Sequence, residues 1–176
     1  TLANIRNQLK QETAESLQTL VATTREGIDL WIDSVKNQVA VLVRRPEVVS
    51  AIQAQLTSSL EPRALRNTSA IRDLRQFLGP VLEIYQYSDF SVVTPAGLQI
   101  AGQASEQLGL KTPVEMDTRP VNAALNGEVA VTLFAGNASD AQRPMIVAAP
   151  VRDHSNRIIA ALVLFLNPSQ ELRNIT

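Results

Sequence analysis

From Leu2 to about Arg45 the apolar residues keep a helical beat, and no proline interrupts it until Pro46. Leu17, Leu20, Thr24, Ile28, Trp31, Val35, Val39 and Leu42 follow one another at three or four residues, which gathers them on one stripe of a helix. Only Gly27 weakens the run, by about 1 kcal/mol relative to alanine. A helix of about forty residues extends roughly 60 Å, longer than a domain of this size is wide. The first turns, with Leu2, Ile5 and Leu9 among Asn, Gln and Lys, are therefore expected to project. Such a helix either packs along a core or forms a stalk that pairs with a second chain. The stripe is sustained but broken by Thr13, Ser16 and Thr24, so both readings stay open.

Arg44-Arg45-Pro46 ends the run, because the residue before a proline is pushed out of helical geometry. Glu47 to Leu60 reads as a second, short helix through Val48, Val49, Ile52 and Leu56. Ala64 to Leu78 reads as a third, stopped by Gly79-Pro80. Arg63, Arg66, Arg72 and Arg75 make it locally basic, which a solvated helix face explains more simply than an anion site.

After Pro80 the texture changes to short strands. Ile84 to Gln86 is a brief strand or linker; Phe90–Thr94 and Leu98–Gln103 flank Thr-Pro-Ala-Gly, a β-hairpin signal. A polar loop leads to Asp117-Thr118-Arg119-Pro120, opening a short helix through Leu125 that Asn126-Gly127 closes. Val129–Ala135, Met145–Arg152 and Arg157–Leu166 are three more strands, separated by turn formers at 136–143 and 153–156. The last strand is apolar on both faces and belongs at a sheet's centre. Asn167-Pro168 then starts an exit helix.

Composition narrows the chemistry. The 176 residues suffice for a domain that buries roughly 70% of its unfolded surface without a metal or disulfide. Sixteen basic against seventeen acidic side chains, a net charge of −1, supply no basic footprint, so nucleic acid is not an expected partner. The absence of Cys excludes thiol catalysis, Cys-containing zinc sites and iron–sulfur clusters, and a single His excludes schemes needing two. The longest apolar run, 158–166, is about half the length that spans a bilayer. With no initiator Met and no signal peptide, the chain reads as a piece of something larger. No convergent acid, base and nucleophile is visible, so an enzyme is not expected, and neither is a cofactor or a metal.

The predicted class is α+β: a five-stranded antiparallel sheet with a helix inserted after the second strand, the element order of a PAS-like sheet. A long helix (1–45) and short helices (46–80) precede the sheet (81–166), and an exit helix (167–176) follows, all in one domain. Four segments carry a closer resemblance: Leu30-Trp31-Ile32 with the Arg45-to-Val49 break; Asp89 to Gly102; Thr118 to Glu128; and Pro150 to Asn167. In that order they resemble the extracytoplasmic Cache family, the PAS-like sensor modules of bacterial transmembrane receptors. The resemblance implies a ligand-sensing input domain on the periplasmic side of the inner membrane. It further implies flanking transmembrane helices, a small-molecule ligand and an intracellular output domain such as a kinase, cyclase or chemotaxis module. A homodimer through the long helix is the expected self-association. A structural dimerisation module without a ligand and a cytoplasmic PAS-like regulator are the alternatives.

Candidate ligand-binding residues are Tyr85, Tyr87, Arg119, Thr132, Phe134, Met145, Val147 and Asp153. In amino-acid-binding relatives the stretch at Arg119 resembles Arg-Pro-Trp, the Arg gripping a carboxylate; here Val121 replaces the Trp, and Asn167 stands where those relatives end the closing strand in Asp. Tyr85 and Tyr87 could offer phenols to a ligand. Thr132 and Phe134 share one strand face and Met145 and Val147 one face of the next, and all four are expected to line a mostly apolar cavity, though each apolar member could simply be core. Asp153 sits beside His154 in a turn, where no nucleophile accompanies the pair. With only 4% aromatics, a flavin or nucleobase is not the expected ligand.

Overall fold

The computed structural model describes residues 2–111, 118–132 and 145–166. The predicted exit helix, Phe134 and the second half of the predicted third strand lie outside these residues. The chain divides into two units, Thr1–Val35 and Lys36–Thr176. Among the described residues no helix is long and apolar enough to cross a membrane.

A single helix, α1 (Leu2–Leu42), realises the long periodic run. Its stripe has an eleven-residue repeat: Leu9, Leu20, Trp31 and Leu42 occupy one position, and Leu17, Ile28 and Val39 another. Thr13 and Thr24 interrupt it less than their polarity suggests. Each hydroxyl donates to the carbonyl four residues back, Leu9 at 2.7 Å and Leu20 at 2.8 Å, leaving a methyl group on the stripe. In the first unit this stripe is exposed, Leu17 at 55% and Leu20 at 63%. In the second unit Val39 and Leu42 are buried.

The second unit begins with the end of α1 and continues through α2 (Pro46–Thr57), α3 (Pro62–Arg66) and α4 (Ser69–Ile84). Two predicted boundaries are corrected here. The expected third helix is split at Asn67-Thr68, where Thr68 caps α4 by accepting from the Ile71 N–H at 3.1 Å. And Gly79-Pro80 does not stop it. The buried row Ile71, Leu74, Leu78 and Leu82 runs straight through the proline, while Gln76 and Pro80 lie on the exposed side, where the carbonyl that loses its donor can meet water. Residues 84 and 85 therefore end a helix rather than open a strand.

Five antiparallel strands follow: β1 (Tyr87–Val93), β2 (Gln99–Gly102), β3 (Ala130–Val131), β4 (Met145–Arg152) and β5 (Ile158–Leu166), with α5 (Arg119–Leu125) between β2 and β3. Their order in the sheet is β2-β1-β5-β4-β3, so β5, apolar on both faces, is central as expected. The β1–β2 turn closes with the Gly97 N–H donating to the Thr94 carbonyl at 2.8 Å, at a positive φ that suits glycine. One face carries Val93, Ala148, Ala161 and Val163, which pack with Val121 and Ala124 of α5. Phe90, Val92, Val147, Ala149, Leu162 and Leu164 alternate with them on the other face, all at most 1% exposed.

Gln55 of α2 is an amide fully buried in this core, at 1% exposure. Its Nε2 donates to the Leu65 carbonyl at 3.1 Å and the Ile100 carbonyl at 2.7 Å, and its Oε1 accepts from the Thr68 hydroxyl. One side chain thus joins α2, α3, the start of α4 and β2.

Candidate functional site

The sheet face beneath α5 is the candidate site. Pro120, Val121 and Ala124 are buried and hold this short helix against β4 and β5. Gly127 ends it at a φ of +102°, and a Cβ there would lie 3.0 Å from the Arg152 guanidinium. Arg119, the first residue of α5, is exposed. On β1 this face alternates Asp89, Ser91 and Val93, paired with Phe165, Val163 and Ala161. On the opposite face Phe90 and Val92 are buried against Leu164 and Leu162, while Ser88, at the start of β1, is exposed and its hydroxyl donates to the Phe165 carbonyl at 3.1 Å.

Asp89 is half-buried, and burial pushes its carboxyl above the usual range. The Phe90 N–H (2.7 Å), a backbone hydrogen bond at Gln103 and the Arg75 charge oppose that rise. Arg75 folds onto β2, its Nε donating to the Gly102 carbonyl and its Nη2 to the Ser105 hydroxyl, both at 2.9 Å. Neither residue stands out in the sequence: Arg75 reads as part of a solvated basic face, and Asp89 falls just before the predicted strand at Phe90, whereas β1 begins at Tyr87. The available signal was a lone carboxylate in an otherwise apolar alternation.

The predicted ligand-binding residues do not converge. Arg119 stands at the start of α5, and Thr132 lies on the α5 face, because its register partner is Ile146. The Thr132 hydroxyl is occupied there, donating to the Ile146 carbonyl at 3.1 Å and accepting from the Ile146 N–H at 3.2 Å. Met145 and Val147 fall on the opposite face, with Leu166 and Leu164 as partners, so they cannot line one cavity with Thr132. Val147 is completely buried core. Tyr85 and Tyr87 lie elsewhere again, their rings 6.3 Å apart, in a recess formed with the last turns of α1 and α4. Phe134 lies outside the described residues.

Asp153 serves its own turn. It accepts from the N–H groups of Ser155 and Arg157, each at 2.9 Å, and pairs with the Arg157 guanidinium at 2.9 Å. The Arg157 N–H and side chain hold its carboxyl below the usual range. The two aspartates predict opposite pH behaviour. The lowered Asp153 contributes stability that is complete above the ordinary Asp range, near pH 4, and is lost as pH falls through its folded value. The raised Asp89 carries a penalty at neutral pH that is relieved as pH falls through its folded value. In thermal melts at pH 7, Asp153→Asn is expected to lower the midpoint and Asp89→Asn to raise it, and both differences should shrink towards pH 3.

Among the described residues no group of three or more His, Asp or Glu could hold a metal ion.

No known family's sequence profile matches the chain, and no curated protein matches it in sequence. Solved structures do match in fold. The sensor domain of the V. cholerae histidine kinase DctB aligns over 90% of this chain at 18% identity with a TM-score of 0.65. This chain spans 57% of the length of that domain. The E. coli DcuS sensor domain aligns over 81% of this chain and 96% of its own length, at 18% identity and a TM-score of 0.55. The chain thus has the PAS-like fold of these two sensor domains, as the order of its sequence elements led us to expect.

Proposed function

We propose that this chain is a ligand-sensing input module of a membrane-bound signal-transduction receptor, acting on the extracytoplasmic side. Its ligand is a small carboxylate taken on the α5 face near Arg119. One observation carries this reading: a PAS-like sheet places Asp89 and Ser91, in the interior of β1, on the face covered by α5, where β4 and β5 present the small residues Ala148 and Ala161. The shared fold with two receptor sensor domains supports it. On this reading transmembrane helices flank the module in the full protein and the output domain is intracellular. The chain itself binds and does no chemistry.

The test is a thermal-shift screen with aliphatic mono- and dicarboxylates, amines and aliphatic amino acids. A ligand that binds only the folded state stabilises it by about 2.7 kcal/mol at a hundred times its dissociation constant. For a chain of this size that raises the midpoint by roughly 5–10 °C. Arg119→Ala is expected to abolish the shift, read against the variant's own ligand-free midpoint. A panel without effect at 10 mM, or a shift that survives Arg119→Ala, overturns the reading.

The exposed stripe of α1 favours a second property. We assign residues 1–45 as a signalling helix through which two copies of the module pair.

A further inference from the structure

A recess lies apart from the α5 face. The last turns of α1 and α4 and the first residue of β1 enclose a cavity of about 140 Å³, partly open to solvent. It shares no lining residue with the layer under α5. Its walls are the apolar side chains of Val39, Leu42 and Phe77 and the rings of Tyr85 and Tyr87. Arg45 is the single charged residue lining it, and no acid joins it. An apolar protein cavity of about 150 Å³ accepts benzene, so this space holds one six-membered ring. A guanidinium without a carboxylate in the lining, beside a ring-sized apolar wall, suits an anion attached directly to that ring.

We propose that this recess is a second ligand site, for a small aromatic carboxylate of benzoate size, with the ring among Val39, Phe77 and Tyr87 and the carboxylate on Arg45. The site also has a mechanical position. Tyr87 is paired with Leu166, the last residue of β5, and the opposite wall is the end of α1. A bound ring therefore bridges the end of the helix that enters the module and the first residue of β1, the strand paired with β5. This site stands independently of the one proposed near Arg119.

Benzoate titrated into the whole chain and followed by methyl NMR tests the proposal, with benzyl alcohol as the uncharged probe. Benzoate is expected to shift the methyl signals of Val39, Val41 and Val81 with a dissociation constant on the order of 1 mM, typical of so few atoms. Arg45→Met should weaken benzoate about tenfold or more and leave benzyl alcohol within about twofold. Val81→Phe, which fills the recess, should abolish both, with an unchanged melt showing that the fold is retained. Arg119→Ala should leave benzoate untouched. Absence of shifts at these valines, or benzoate binding that survives Val81→Phe, overturns the site. Equal loss of both probes in Arg45→Met overturns the carboxylate, and loss in Arg119→Ala overturns the independence of the two sites.

Discussion

Replacing Gln55 by Leu is expected to lower the stability of this module by roughly 2–5 kcal/mol, although the two side chains are close in size. The amide donates both its protons to backbone carbonyls, those of Leu65 and Ile100, and both bonds are buried. Leucine leaves these two acceptors without partners, at about 1–3 kcal/mol each. It also removes the acceptor of the Thr68 hydroxyl, which must then cap Ile71 without the bond that orients it. For a chain of this size the thermal midpoint should fall on the order of 10 °C. Gln55→Glu separates polarity from packing. It keeps the shape but turns a donor into a carboxylate facing two carbonyl oxygens, with no cation among the groups that Gln55 contacts. Burial then raises its folded pKa, so Gln55→Glu should be worse than Gln55→Leu at pH 7 and recover as pH falls through that raised value. A loss below 1 kcal/mol for Gln55→Leu, or a pH-independent defect for Gln55→Glu, would show that water reaches these carbonyls and that the four elements are held together by apolar packing alone.

How much of this arrangement could be read in advance depends on the range of the interaction that decides it. Local signals were reliable. The Thr-Pro-Ala-Gly turn, the Gly127 cap and the limits of β4 at Met145 and Arg152 are set by residues within a few positions of one another, and each was legible. The central place of β5 followed from its two apolar faces. Gly79-Pro80 misled because a strong local breaker was outweighed by four leucines and isoleucines aimed at the core, with the proline on the solvent side of α4. Gln55 gave no signal at all, since its partners are ten, thirteen and forty-five residues away.

The candidate site was less legible than the fold, and register explains why. Alternation within a strand shows which residues share a face, so Thr132 was separated correctly from Val131. It does not show which face of the next strand adjoins them. Thr132 meets Ile146 rather than Met145, and that one-residue offset sends Met145 and Val147 to the far side of the sheet. Tyr85 suffered from a boundary: α4 extends to Ile84, so it ends a helix rather than opening a strand. Tyr87 does enter the sheet as the first residue of β1, but both rings line the recess beside α1 rather than the α5 face. Arg119 kept its expected place because a single local feature, the start of α5 before Pro120, determines it.

The apolar stripe of α1 yields the other large effect. Leu9, Leu17, Leu20 and Ile28 are each 45–63% exposed, on one helix, with Thr13 and Thr24 between them as methyl-presenting residues. Full burial of a leucine side chain contributes about 1.5–3 kcal/mol. Leu17→Gln with Leu20→Gln removes four such side chains from a two-chain seam, and glutamine keeps nearly the helix propensity of leucine. The dissociation constant measured by sedimentation equilibrium should therefore weaken at least a thousandfold, at about 1.4 kcal/mol per decade. The thermal midpoint of the 36–176 unit should not move, since neither leucine is buried. An eleven-residue repeat also fixes the geometry. It favours a straight to right-handed pair rather than a left-handed heptad coil. In a parallel pair, positions 13 and 24 each meet their own copy. The chain contains no cysteine, so Thr13→Cys and Thr24→Cys can be tested singly against a silent background. Each should form a disulfide-linked dimer on mild oxidation. In an antiparallel pair neither single variant crosslinks and only a mixture of the two does, which would be incompatible with two receptors standing side by side in one membrane. A wild-type chain that stays monomeric at 100 μM would remove α1 as a self-pairing surface altogether.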